Sequence, residues 1–113
     1  MDITASILSA TNTKPPGSYR PDGVDILSVL RGGSPLLERQ VFWRMSGAVR
    51  QQRAVRSGRW KLLIDGTALL LFDLATDPGE RRDLAGVHPD KVATLVKLHA
   101  AWENAVGENS RVP

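Results

Sequence analysis

The chain has 113 residues, 42% of them apolar and 24% charged, enough to bury a modest core but short of the length usual for a self-contained enzyme. Its formal charge of +3 is mild for a domain of this size, so charge alone establishes no nucleic-acid, glycan or lipid partner. With no cysteine, disulfides, thiolate metal ligands and a cysteine nucleophile are excluded, and neither redox compartment nor localisation is fixed.

Along the chain, "MDITASILSATN" sets Ile3, Ile7 and Leu8 at helical spacing behind Asp2, a candidate N-cap. "TKPPGSYRPDG" is a proline- and glycine-rich loop. In "VDILSVLRGG" the residues Val24, Ile26, Leu27 and Leu30 predict a short helical turn, with Asp25 near its start and the glycines closing it. The division expected is residues 1–40, with helices and loop, and residues 41–113, with sheet and helix.

From Val41 the pattern becomes strand-like: "VFWRM", a second run over roughly Gln52 to Arg56, then "RWKLLI" and "TALLLF". Ser57-Gly58 and Asp65-Gly66 are the expected two-residue hairpin turns, giving an antiparallel meander of about four strands. That register places Trp60, Leu62 and Ile64 on one face with Val55, Leu69 and Leu71, and Trp43 and Trp60 are read as core. The other face carries Arg56, Arg59 and Lys61 but also Leu63, Leu70 and Phe72, too apolar for a fully wetted surface; these three leucine and phenylalanine positions are the expected docking or self-association face.

"DPGERRDLA" predicts one or two helical turns with Asp77 as N-cap and Glu80 at the capping-box position. A long helix follows from Pro89, with Val92, Leu95, Val96, His99, Trp102 and Val106 toward the sheet and Gly107 as its end. The fold class is therefore α+β: a four-stranded antiparallel sheet, a long C-terminal helix on one face, and short N-terminal helices. The apolar runs are short and residues 1–10 lack the pattern of a secretion signal, so neither a membrane span nor an export signal is expected in this sequence.

Catalytic chemistry finds little support. His88 reads as a helix-cap residue and His99 as a packing residue, and no serine stands in a nucleophile motif. Asp73, Asp77, Glu80 and Asp83 do not follow a calcium-loop pattern, so no metal site is expected. The basic residues Arg44, Arg50, Arg53, Arg56, Arg59 and Lys61 are candidates for an anion site, because guanidinium groups bind phosphate and sulfate bidentately. The competing reading, a solvated strand face that resists edge association, is preferred. The absence of exposed aromatics interleaved with these charges argues against nucleic acid.

The order "DGVDILSVLRG", "VFWRM", "AVRSGRWKLL", "LFDLATDPGERRDLA" and "HPDKVATLVKLHAAWENAV" resembles the C-terminal end of the formylglycine-dependent sulfatase family, from about Asp22 to Val106. Asp83 stands where the family commonly has asparagine. The resemblance implies a small subdomain, a four-stranded sheet with a long helix, docked on an upstream catalytic domain. It also implies that formylglycine and a calcium or magnesium ion belong to that domain, with no catalytic residue or cofactor in this chain. The expected partners are the sulfatase catalytic domain or a second copy of the chain, with an anionic ligand as a further candidate. A stand-alone binding module for a polyanion or protein is the alternative.

Overall fold

The computed structural model describes residues 1–17, 19–33, 38–47 and 51–109. Its contacts fall into two units, Met1–Leu37 and Glu38–Pro113. The first unit contains two short helices, α1 (Asp2–Ala10) and α2 (Leu27–Leu30). Asp2 is the first helical residue and not the N-cap expected: its carboxylate is taken by the returning loop, where it accepts the Val24 N–H at 3.2 Å. Asp25 does act at the start of α2, accepting the Leu27 N–H at 2.9 Å. Hydrogen bonding from Ser9, then from the Leu27 amide, holds its carboxyl below the usual range. Gly32, at φ +72°, ends α2 in a Schellman motif: its N–H bonds to the Val29 carbonyl and that of Gly33 to the Ser28 carbonyl.

The second unit is an antiparallel meander of β1 (Gln40–Ser46), β2 (Gln51–Ser57), β3 (Trp60–Asp65) and β4 (Ala68–Asp73), followed by α3 (Pro89–Asn109). Both hairpin loops lie one residue beyond the expected positions, at Gly58-Arg59 and Gly66-Thr67, because Ser57 pairs with Trp60 and Asp65 with Ala68. Each loop opens on a glycine of positive φ, +57° and +58°, the requirement of a II′-type hairpin. The displacement changes each pairing by an even step, so the faces are unaffected: Val55, Leu62 and Leu71 form one cross-strand row, flanked by Trp60 and by Ile64 opposite Leu69.

Val55, Leu62, Ile64 and Leu71 pack with Leu95 of α3 as the core, and Phe42, Trp60, Leu84, Val92, Val96 and Leu98 close around them. Trp60 is half-buried at the core margin, its ring edge-on to His88 at 5.1 Å. Trp43 departs from expectation. It sits in the alternate register, opposite Ala54 on the face away from that core, and is 48% exposed.

The segment between β4 and α3 is turn structure and not helix. Asp77 Oδ2 accepts the N–H groups of Arg81 and Arg82, each at 2.8 Å, which closes a loop where a helical N-cap was expected. Glu80 has φ +53°, a left-handed conformation that stops helix propagation, and its carboxylate pairs with Lys61 in place of completing a capping box. Asp83 then caps the next turn through Ala85 N–H at 2.9 Å. The α3 helix also passes through Gly107 to Asn109, since one glycine costs only about 1 kcal/mol in a helix interior and does not enforce a stop.

Candidate functional site: the two faces of the sheet

Alternation along the strands separates the candidate cations by face. Arg44 and Arg53 are directly opposed on β1 and β2 and share the α3 side with Phe42 and Val55. Arg53 reaches Glu103 of α3 at 3.5 Å, and Glu103 also lies 3.6 Å from Nδ1 of His99, four residues earlier. His99 is 2% exposed, within ring-contact distance of Phe42 and Trp102, and Phe42 stacks on Trp102 at 5.1 Å. Here the cation serves as a link between sheet and helix. Arg50 lies outside the described residues.

On the other face, Arg56 opposes Lys61, and Lys61 opposes Phe72. Lys61 Nζ donates to Glu80 at 2.5 Å, whereas exposed Arg56 makes a local contact through Nε to the Gly58 carbonyl at 3.1 Å. Arg59 occupies the β2–β3 loop. Its Nε donates to Asp73 Oδ1 at 2.6 Å, and a second guanidinium nitrogen pairs with Oδ2. Arg59 first, then Thr76 and the Ala75 amide, hold the Asp73 carboxyl down to about 2 against the opposing effect of burial. The same pairing pushes the Arg59 guanidinium up. The cations therefore occupy a helix-facing position, a loop and an outer face, and Arg53, Arg59 and Lys61 each have a carboxylate partner.

The outer face also carries an apolar row across all four strands: Trp43, Ala54, Leu63 and Leu70. Leu63 and Leu70 are half-buried, while Phe72, in the adjoining row, is 6% exposed. Leu63, Leu70 and Phe72 share this outer face, and the β1–β2 register adds Trp43, which the sequence alone assigns to the core. The structure also adds Glu103, for which the His99–Glu103 spacing on one helix was a usable signal.

The resemblance to formylglycine enzymes raises the fit of their cofactors. Among the described residues no group of three or more histidine, cysteine, aspartate or glutamate side chains is placed to hold a metal ion, and the sequence has no cysteine to become formylglycine. The described residues do not fit either group. No helix among the described residues is long and apolar enough to cross a membrane.

No protein-family model matches the chain. It is 31% identical over 124 residues to the uncharacterized sulfatase PB10D8.02c of Schizosaccharomyces pombe, a match covering 95% of this chain and 21% of that protein. The putative sulfatase yidJ from Bacteroides fragilis shares the fold with a TM-score of 0.67 at 17% identity, covering 89% of this chain and 23% of its own. BT1596, described as a 2-O GAG sulfatase, matches at 0.61 and 21% identity, over 97% of this chain and 25% of its own. A protein from a glycosaminoglycan-metabolism locus of Bacteroides thetaiotaomicron matches at 0.71 and 22% identity, over 91% of this chain and 24% of its own. A small antiparallel sheet backed by one long helix, with these relatives, defines a sulfatase-type α+β module. Over 95% of its length the chain is homologous to a segment of a sulfatase, and it spans between a fifth and a quarter of the length of these proteins.

Proposed function

We propose that this chain is the non-catalytic sheet-and-helix module of a sulfatase, a C-terminal subdomain that scaffolds or docks onto the catalytic body. Coverage carries the reading: the sulfatase match takes in 95% of this chain but 21% of the relative. The sequence contains neither cysteine nor a Ser-x-Pro-x-Arg motif, so the formylglycine nucleophile and the calcium or magnesium ion of a complete enzyme would be supplied elsewhere.

The outer face of the sheet supports a docking role. Leu63 and Leu70 continue an apolar row that ends on exposed Trp43, and a row of this kind gains free energy when a second surface removes it from water. The partner is a sulfatase catalytic domain, with a second copy of the chain as the competing occupant. Exposed Arg56 favours a second reading, in which the same face lies at the rim of a site for an anionic ligand.

Replacing the matched segment of the S. pombe relative with this chain tests the proposal. A soluble chimera with a single cooperative melt supports it. An insoluble or unfolded chimera, beside a well-behaved parent, counts against it.

A further inference from the structure

Among its described residues, the unit Met1–Leu37 buries no apolar side chain, and hydrogen bonds link its elements. Ser6 is its buried residue among those described; the buried apolar side chains, from Ala54 to Leu95, all belong to the other unit. Three features fix the approach of α1 to the chain entering α2. Asp2 accepts the Val24 N–H; Ser6 Oγ donates to the Asp2 carbonyl at 2.7 Å and accepts the Ile26 N–H at 3.1 Å. Gly23 passes so close that a Cβ there would stand 2.3 Å from the Met1 carbonyl carbon.

These ties leave an apolar face uncovered. Ile3 and Ile7 lie one helical turn apart on α1 and are 71% and 57% exposed, and Leu30 of α2 is 72% exposed. With Ile26 and Leu27 they line a groove of about 190 Å³. The polar atom in its lining side chains, Ser6 Oγ, already donates and accepts within the unit, so the groove offers nothing to orient a polar ligand. Helices of 9 and 4 residues are far below the roughly 12 to 15 residues at which an isolated helix becomes even marginally stable in water. An apolar surface packed on this face would therefore add to the stability of both helices.

We infer that the Ile3–Ile7–Leu30 groove is the seat for an apolar surface of the sulfatase catalytic body. The inference rests on the reading under Proposed function and adds a contact surface separate from the outer face of the sheet. The occupant follows from coverage: the S. pombe match takes in nearly all of this chain, so the counterparts of α1 and α2 are joined there to the greater part of a sulfatase. A small polar or anionic ligand is disfavoured by the lining.

The test uses the S. pombe chimera, with and without the double substitution Ile3→Asp/Ile7→Asp, and the isolated chain carrying the same changes. The expected result is at least a tenfold loss of soluble, monodisperse chimera while the melting temperature of the isolated chain stays unchanged. Equal yields of substituted and unsubstituted chimera would overturn the groove assignment and leave the module reading standing. An equally large loss of stability in the isolated chain would also overturn it, because the two isoleucines would then serve the chain's own fold. Failure of the unsubstituted chimera would remove the module reading and the groove assignment together.

Discussion

Asp83 Oδ1 accepts the Leu71 N–H at 2.9 Å, so a side chain from the connecting loop occupies the open edge of β4. The same oxygen accepts Ala85 N–H, and the Leu84 N–H returns to the Leu71 carbonyl at 2.8 Å, which pairs that stretch of edge as a short strand would. Both bonds require an oxygen acceptor, and asparagine supplies one as well as aspartate does. Asp83→Asn should stay within about 0.5 kcal/mol of the parent in urea unfolding. Asp83→Ala should lose about 1 to 2 kcal/mol, because it strands a partly buried backbone donor.

The Arg59–Asp73 pair makes stability acid-sensitive. The Asp73 carboxyl is held down to about 2, below its ordinary value near 4, by Arg59, Thr76 and the Ala75 amide. A depressed folded-state value means that the stabilisation is fully present above about pH 4 and is lost as pH falls toward 2. Asp73→Asn should flatten that part of the pH–melting curve. A curve that keeps its slope would place the acid sensitivity at other carboxylates.

The core and its margin should respond differently to truncation. Leu62 is fully buried between Val55 and Leu71, so Leu62→Ala should cost about 2 to 5 kcal/mol, a large share of the stability of a small domain. Half-buried Trp60 should cost about 2 kcal/mol as alanine, below the roughly 3 to 5 kcal/mol of a fully enclosed tryptophan. Denaturant titrations of the two variants side by side check the order.

Arg53 and Arg56 lie three residues apart on β2 and on opposite faces. Arg53→Ala should lower stability by up to about 1 kcal/mol through its partly exposed Glu103 link and leave retention on a sulfated glycan column unchanged. Arg56→Ala should do the reverse, shortening retention at constant stability. Equal retention changes for both would place both arginines on the glycan-facing surface.

Much of this fold was legible because alternation in the strands is strong: Val55, Leu62, Ile64 and Leu71 declare one face whichever of the two neighbouring turn positions is chosen. The hairpin loops were displaced by one residue because the sequence shows a glycine without showing which loop position must adopt positive φ. The helical reading of "DPGERRDLA" failed because Asp77 and Glu80 suit a capping box in spacing, while Lys61, 19 residues earlier, draws Glu80 away. Trp43 reads as core in the sequence, but it alternates with Phe42, which faces the core, and so lies on the outer face. The Arg53–Glu103 link spans 50 residues and leaves no local trace.

On the proposed reading, this chain is a module of a sulfatase whose catalytic chemistry lies outside it. Hydrolysis of an aryl sulfate by the purified chain, in the presence of calcium or magnesium, tests it most directly. The expected rate is indistinguishable from buffer at every chain concentration; turnover that rises in proportion to the chain would place sulfatase chemistry within it.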